Sequence, residues 1–467
     1  KVISMEHPGL KCKMIDTDRT TEWKNIFSEI NSDSDEDQTA FRNNKKYSAR
    51  LQRVNFGRRK NFTVDEKGTY LITGGLSGLG ILSAKWLADQ GAKHLVLTGR
   101  RGMVEESQKY LDEIEAAGVD VKVVKADVTN KEDLEKIIKD ISKTKFSLKG
   151  IIHSVGVLDD GIILNQNREK FENVMNPKVA GAWYLHELTR KLDLEMFIMY
   201  SSVASMIGSA GQVNHSAANA FLDALAHYRA SENLNAMSIN WGVWSEIGSA
   251  AAKGADKKEK IEGISSINPS EGIRALNKAV RLNVNEVGVV PIDWEKYSAV
   301  YNKPYTTKLL SSTVKSAETT QTGAKKSKDD FITRLQNSKE EEHGELLIKY
   351  FQDLISRIMG LEPEDFEPEQ PLNTMGLDSL MAIELKNKVN IELGVDLNLV
   401  RYMEETNIVQ LANELKEQLP KILKRGTDTA ETNGKHEITE EDKARDLLAN
   451  LEDLNDEELD KLLNETK

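Results

Sequence analysis

The sequence predicts an α/β fold, a doubly wound parallel sheet followed by a small all-α unit, and three observations carry that prediction. Seven short β-branched and apolar runs alternate with amphipathic helical stretches. A glycine-rich turn follows the first run directly and leads into a helix. Past residue 343 the pattern changes to apolar residues spaced at i, i+3 and i+4.

Residues 1–68 are polar and mixed, with the acidic patch Ser32–Asp37. The seven runs then follow as 69–73, 94–99, 119–128, 150–156, 196–202, 236–242 and 287–293. Helical stretches such as Gly80–Gln90, Val104–Ala117 and Lys131–Lys143 lie between them. Buried-type strands joined by helical crossovers make a parallel sheet covered on both faces, so 61–302 reads as one domain. The Ser-, Thr- and Lys-rich stretch 303–343 lacks periodicity and reads as a linker. Leu346, Leu347, Tyr350, Phe351, Leu354, Ile355, Ile358 and Met359 then form one face of a helix. With Ser379–Asn390 and Asn407–Leu419 they define a helical bundle over 344–420, close to the smallest size that sustains its own core. A second polar linker covers 421–440, and 441–467 is acidic.

Composition narrows the function. Of 467 residues, 39% are hydrophobic and 30% charged, enough for sizeable cores in a water-soluble protein. The net charge of −12 opposes general nucleic-acid binding, which needs a basic face. Met196–Leu222 carries no Asp, Glu, Lys or Arg, yet its Ser, Asn, Gly and Gln content rules out a membrane span. The single Cys12 excludes an internal disulfide and any cysteine-based metal site. No charged-then-apolar leader opens the sequence, which begins at Lys1; the expectation is a soluble, cytoplasmic protein, a piece of something longer.

The turn after the first run reads Thr73-Gly74-Gly75-Leu76-Ser77-Gly78-Leu79-Gly80. Glycines allow a tight turn and close approach to a pyrophosphate, and the helix N-terminus adds unpaired N–H groups and positive dipole. In this strand–turn–helix setting the turn marks a Rossmann-like dinucleotide site. The second run ends in Arg100 and Arg101, where an NAD-preferring site places an acid; two arginines favour the 2′-phosphate of NADPH. Asp127, closing the third run, reads either as a partner for the adenine amino group or as an ordinary turn aspartate.

The segments ITGGLSGLG, HLVLTGRRG, GVLDDGIILN, PKVAGAWYLHEL, SSVASMIGSAGQVNHSAANAFLDALA and INWGVW run in order from about Thr69 to Trp244. Together they resemble the ketoreductase domain of modular polyketide synthases, a branch of the short-chain dehydrogenase/reductase superfamily. Residues 1–60 look like the end of that domain's structural subdomain. The resemblance implies an NADPH-dependent reductase that places Asp127 and Val128 beside the cofactor, with Lys178, Ser202, His215 and Asn219 as its catalytic group. There Ser202 would donate to the substrate oxygen, Lys178 would hold the nicotinamide ribose, and Asn219 would fix a water or the lysine.

At His215 the family typically carries tyrosine, the proton donor. Three readings compete: an imidazolium that donates a proton, a neutral imidazole that polarises the carbonyl through its N–H, or a domain that has lost reduction and serves as scaffold for a working carrier. Tyr200 sits on a buried-type strand and reads as core. Leu158-Asp159-Asp160 resembles the marker of B-type ketoreductases, which give the D (3R) alcohol, although Ala210 stands where such enzymes often carry proline. A free-standing reductase of diffusing ketones, with an appended interaction domain, is a further rival.

Gly376-Leu377-Asp378-Ser379-Leu380 resembles the attachment motif of an acyl carrier protein, a small four-helix fold. It implies 4′-phosphopantetheine on Ser379, loaded by a phosphopantetheinyl transferase, with the acyl thioester substrate riding on the chain's own carrier. Upstream synthase domains would be partners. Residues 437–467 hold twelve acidic and four basic residues, yet Leu447, Leu448, Leu451, Leu454, Leu459, Leu462 and Leu463 are patterned. An acidic face with a leucine stripe resembles C-terminal docking helices that engage a downstream synthase polypeptide.

Overall fold

The computed structural model describes residues 1–431 apart from 8–9, 11, 55–61, 103–104, 249–262, 295, 298–307, 314–330, 332, 360–366, 373, 375–376, 378, 394, 396 and 398–405. One compact unit comprises Lys1–Gln321, Ile358–Gly360 and Gly376–Leu385, and another Thr322–Arg357, Leu361–Met375 and Lys386–Lys467.

The first unit opens with helix α1 (Val2–Glu6) and a small sheet of β1 (Met14–Thr17), β2 (Gln38–Arg42) and β3 (Lys45–Ser48), with α2 (Trp23–Ile30) between β1 and β2. The main sheet follows: β4 (Thr69–Thr73), β5 (His94–Gly99), β6 (Asp120–Lys125), β7 (Leu148–His153), β8 (Met196–Ser202), β9 (Met237–Trp241) and β10 (Glu286–Val289). Its order is β10-β9-β8-β7-β4-β5-β6, parallel throughout. All seven expected runs are strands of this sheet. The crossovers carry α3 (Gly78–Asp89), α4 (Glu105–Ala116), α5 (Lys131–Ser142), α6 (Arg168–Met175), α7 (Gly181–Thr189), α8 (Val203–Ile207), α9 (Val213–Ser231) and α10 (Pro269–Ala279).

Period-2 side-chain alternation splits the core in two. Tyr70 and Ile72 of β4, Leu95 and Leu97 of β5, and Ile198 and Tyr200 of β8 meet α3 and α10 on one face. Leu71, Val96, Phe197 and Met199 meet α5, α7 and α9 on the other. Strand order reverses between β4 and β7, and a crevice at such a switch point is where ligands bind in open α/β sheets.

Further along the chain the described residues include α11 (His343–Met359), α12 (Ser379–Leu393) and α13 (Ile408–Glu431). Leu347, Tyr350, Phe351, Leu354, Ile355 and Ile358 are buried, the face the spacing predicts. Tyr350 Oη donates to Glu392 Oε2 (2.7 Å), and the N–H groups of Leu372 and Val409 donate to the carbonyls of Thr406 and Pro368. Among the described residues no helix is long and apolar enough to cross a membrane.

Both ends of the expected 303–343 linker are folded, a correction that rests on isolated apolar residues. Leu310 packs with Ile207 and Tyr297, and Leu309 O accepts from Leu51 N–H. At the other end Phe331 stacks on Tyr350 and Leu335 is buried. Helix α13 runs through Pro420 to Glu431, so the first part of 421–440 is helical rather than linker. The acidic segment 441–467 lies outside the described residues.

Candidate active site

The glycine turn between β4 and α3 is shaped by contacts no other residue type permits. Gly74 and Gly78 have φ of +72° and +53°, in the left-handed region. A Cβ on Gly80 would lie 2.0 Å from the Gly74 carbonyl oxygen, so helix and turn touch backbone to backbone. Gly75 N–H donates to Thr98 O (3.1 Å), tying the turn to β5. Ser77 is the N-cap of α3 but makes no side-chain capping bond, which leaves the helix end open to an anion. Arg100 and Arg101 are exposed directly after β5, and neither is in an ion pair among the described residues. The cradle and these free cations fit a phosphorylated dinucleotide.

Three of the expected cofactor-side residues have inward side chains, so any contact they make there is through backbone. Thr73 is fully buried, with Oγ1 2.8 Å from His153 Nδ1; Leu76 is core; and Val128 packs within 3.1 Å of the Cβ position of Gly181. Their side chains face the interior. Asp127 Oδ1 accepts from Thr129 N–H (2.9 Å) and Oγ1 (2.8 Å), the turn-aspartate reading.

Lys178 lies in a π-helical turn, Asn176–Ala180, inserted between α6 and α7. Pro177 removes an N–H from that ladder, which accounts for the irregular turn. The Lys178 side chain is buried and donates from Nζ to Tyr200 O (2.7 Å) on β8. Burial lowers its pKa to about 8, with Asp223 opposing the shift. Two residues along β8, Ser202 caps α8 by accepting from Ala204 N–H (3.2 Å). His215 and Asn219 stand one turn apart on α9, and Asn219 Nδ2 donates to His215 O (2.8 Å). Asn219 Oδ1 and His215 Nδ1 are enclosed without a hydrogen-bond partner. All four residues thus gather at the C-terminal end of β8, although no hydrogen bond directly joins the side chains of Lys178, Ser202 and His215. Asn219 reaches back along its own helix rather than to the lysine.

Burial, reinforced by the Lys178 charge, pushes His215 down to about 3. Both effects disfavour the charged ring and weigh against the imidazolium reading. His153, buried beside Lys178, is held down to about 3 in the same way. Tyr200 is core, its hydroxyl 2.6 Å from Ser83 Oγ.

Behind the four residues is a buried polar network that sequence reading missed. Asp223 accepts from Ser205 Oγ (2.6 Å), Ser238 Oγ (2.6 Å) and Asn240 Nδ2 (2.9 Å), and desolvation raises its pKa. Ser205 Oγ also donates to Ser202 O (2.8 Å), so the network fixes the backbone that presents Ser202. The spacing Asn219 to Asp223, one helical turn, was the available signal. The loop bearing Leu158, Asp159 and Asp160 is tied to the segment before His215: Asp159 O accepts from Asn214 Nδ2 (2.8 Å) and Asp160 Oδ2 from Gln212 Nε2 (3.0 Å). Ser379 is the first residue of α12; its side chain lies outside what is described.

Comparison with known proteins agrees with this geometry. The family model for the KR domain matches residues 68–246, and that for the phosphopantetheine attachment site matches residues 349–415. A phenolphthiocerol/phthiocerol polyketide synthase of Mycobacterium tuberculosis is 32% identical over 399 residues, 84% of this chain and 17% of that protein. Mycoketide-CoA synthase of the same species is 32% identical over 364 residues, 75% of this chain and 9% of that protein. The chain thus spans less than a fifth of the length of these relatives. A solved structure of A-type ketoreductases from a modular polyketide synthase aligns with a TM-score of 0.62 at 32% identity, covering 67% of each chain. The two domain types imply NADPH and 4′-phosphopantetheine. With a reductase fold, its cradle and a carrier helix all present, this chain belongs to the modular polyketide synthases, as a ketoreductase domain followed by an acyl carrier domain.

Proposed function

We propose that this chain reduces a β-ketoacyl thioester to a β-hydroxyacyl thioester, with the acyl group on a phosphopantetheine arm at Ser379. The observation that carries the reading is the gathering of Lys178, Ser202, His215 and Asn219 at the end of β8 in the fold that builds the glycine cradle. Bound NADPH supplies a hydride to the carbonyl carbon. Ser202 and the N–H of neutral His215 stabilise the oxygen as it gains charge. That oxygen then takes the His215 proton, which solvent restores to the same ring nitrogen, while the charge of the buried Lys178 beside the ring favours the transfer.

The resemblance of Leu158-Asp159-Asp160 to the B-type marker is what leans the assignment to B-type and the D (3R) alcohol, on a loop tied to the segment before His215. We assign the acidic leucine-striped segment 441–467 to docking on a downstream synthase polypeptide, and the remaining partners to upstream synthase domains and a phosphopantetheinyl transferase, in the cytoplasm.

Two experiments test the cofactor and carrier assignments. In Arg100→Ala with Arg101→Ala, NADPH affinity falls at least tenfold, about 1.4 kcal/mol, while NADH affinity holds; an equal loss for both removes the 2′-phosphate argument. Intact-mass analysis after exposure to a phosphopantetheinyl transferase and coenzyme A shows one arm on the native chain and none on Ser379→Ala. An unmodified native chain contradicts the carrier assignment.

A further inference from the structure

Helix α1 ends in Glu6, which is 2% exposed and whose carboxylate accepts from amides 157 and 205 residues away. Its Oε2 accepts from Ile163 N–H (2.7 Å) and its Oε1 from Gly211 N–H (2.8 Å). These amides belong to two different loops. Ile163 closes the loop that carries Leu158, Asp159 and Asp160, and Gly211 lies in the segment that runs directly into His215. The loops also meet each other, since Gly161 N–H donates to Gly211 O (2.7 Å). Met5 packs beside Glu6 against the same segment: a Cβ on Gly208, which has φ of +86°, would come within 2.7 Å of Met5 Sδ.

A buried carboxylate offers two acceptor oxygens and no donor, so it can hold two amide N–H groups at a fixed separation. We infer that Glu6 is a specificity-positioning residue: by bridging Ile163 and Gly211 it sets the spacing of the two loops beside His215, and so which face of the carbonyl is presented. The inference rests on the reductase reading above. Glu6 touches no reacting atom; it acts through the loops. A glutamine at this position keeps one acceptor and turns an NH₂ toward the other amide, which releases one loop.

The test uses the full chain as Glu6→Gln, with Glu6→Asp alongside to keep the charge while shortening its reach. Glu36→Gln, at the Arg50 ion pair, controls for general loosening of the N-terminal segment. Amide hydrogen exchange is followed in peptides covering 158–166 and 205–214, and product configuration is read by chiral separation of the reduced thioester. Expected in Glu6→Gln are faster exchange in at least one of these peptides and a change of about tenfold in the 3R:3S ratio, with neither change in Glu36→Gln. If Glu6→Gln does not fold, the same readouts on Glu6→Asp decide. Unchanged exchange overturns the bridge; faster exchange with an unchanged ratio overturns the specificity role. A native chain without turnover contradicts the reductase reading instead, and the exchange arm still judges the bridge.

Discussion

Lys178→Met reduces a β-ketoacyl thioester ~10²–10³-fold more slowly than the native chain. The native ammonium is buried, held on Tyr200 O, and close enough to depress the pKa of His215. Buried there, its charge acts strongly on an oxygen gaining negative charge. Methionine fills similar volume without charge or donor, so the site keeps its shape. Tyr200 O loses a partner, which costs ~1–3 kcal/mol of stability, and thermal unfolding reads that loss separately. The pH profile provides the second check. A lysine whose pKa is lowered to about 8 is charged below that value and neutral above it, so the native rate falls as pH rises through about 8. The variant lacks this limb. A variant that kept the native rate, or kept the limb, would remove Lys178 from the chemistry.

Gly80→Ala has the next largest effect, on dinucleotide binding. The added Cβ would sit 2.0 Å from Gly74 O, a backbone atom that moves only if the turn moves. Relieving the overlap displaces the cradle by about 1 Å, and a displacement of that size costs about 100-fold where geometry governs the interaction. Overpacking adds ~1–3 kcal/mol of destabilisation. NADPH titration followed by cofactor fluorescence measures the affinity; an unchanged value would show that the turn does not face the cofactor.

The sheet was readable from the sequence because its strands are short apolar runs bounded by helical patterns, the inner ones buried on both faces, although the edge strand β6 is largely exposed. The cradle was readable because its glycines are demanded by local geometry. Strands β1 to β3 were not: they are short, and β1 and β3 are largely exposed, so no alternation marks them. The neutrality of His215 depends on enclosure by residues from other elements, which spacing along α9 does not reveal. Glu6 was invisible for the same reason, its partners lying 157 and 205 residues away. Leu310 and Phe331 anchor the ends of a stretch whose composition is that of a linker; burial of single apolar residues leaves no periodic trace.

The most direct test of the account is NADPH oxidation by the native chain with a β-ketoacyl thioester from about pH 5.5 to 8.5, beside His215→Tyr. Neutral His215 as the N–H donor predicts turnover in the native chain, level through neutrality, declining only as Lys178 discharges near 8. No turnover in the native chain, with activity appearing in His215→Tyr, would contradict it and leave a silenced reductase attached to a carrier.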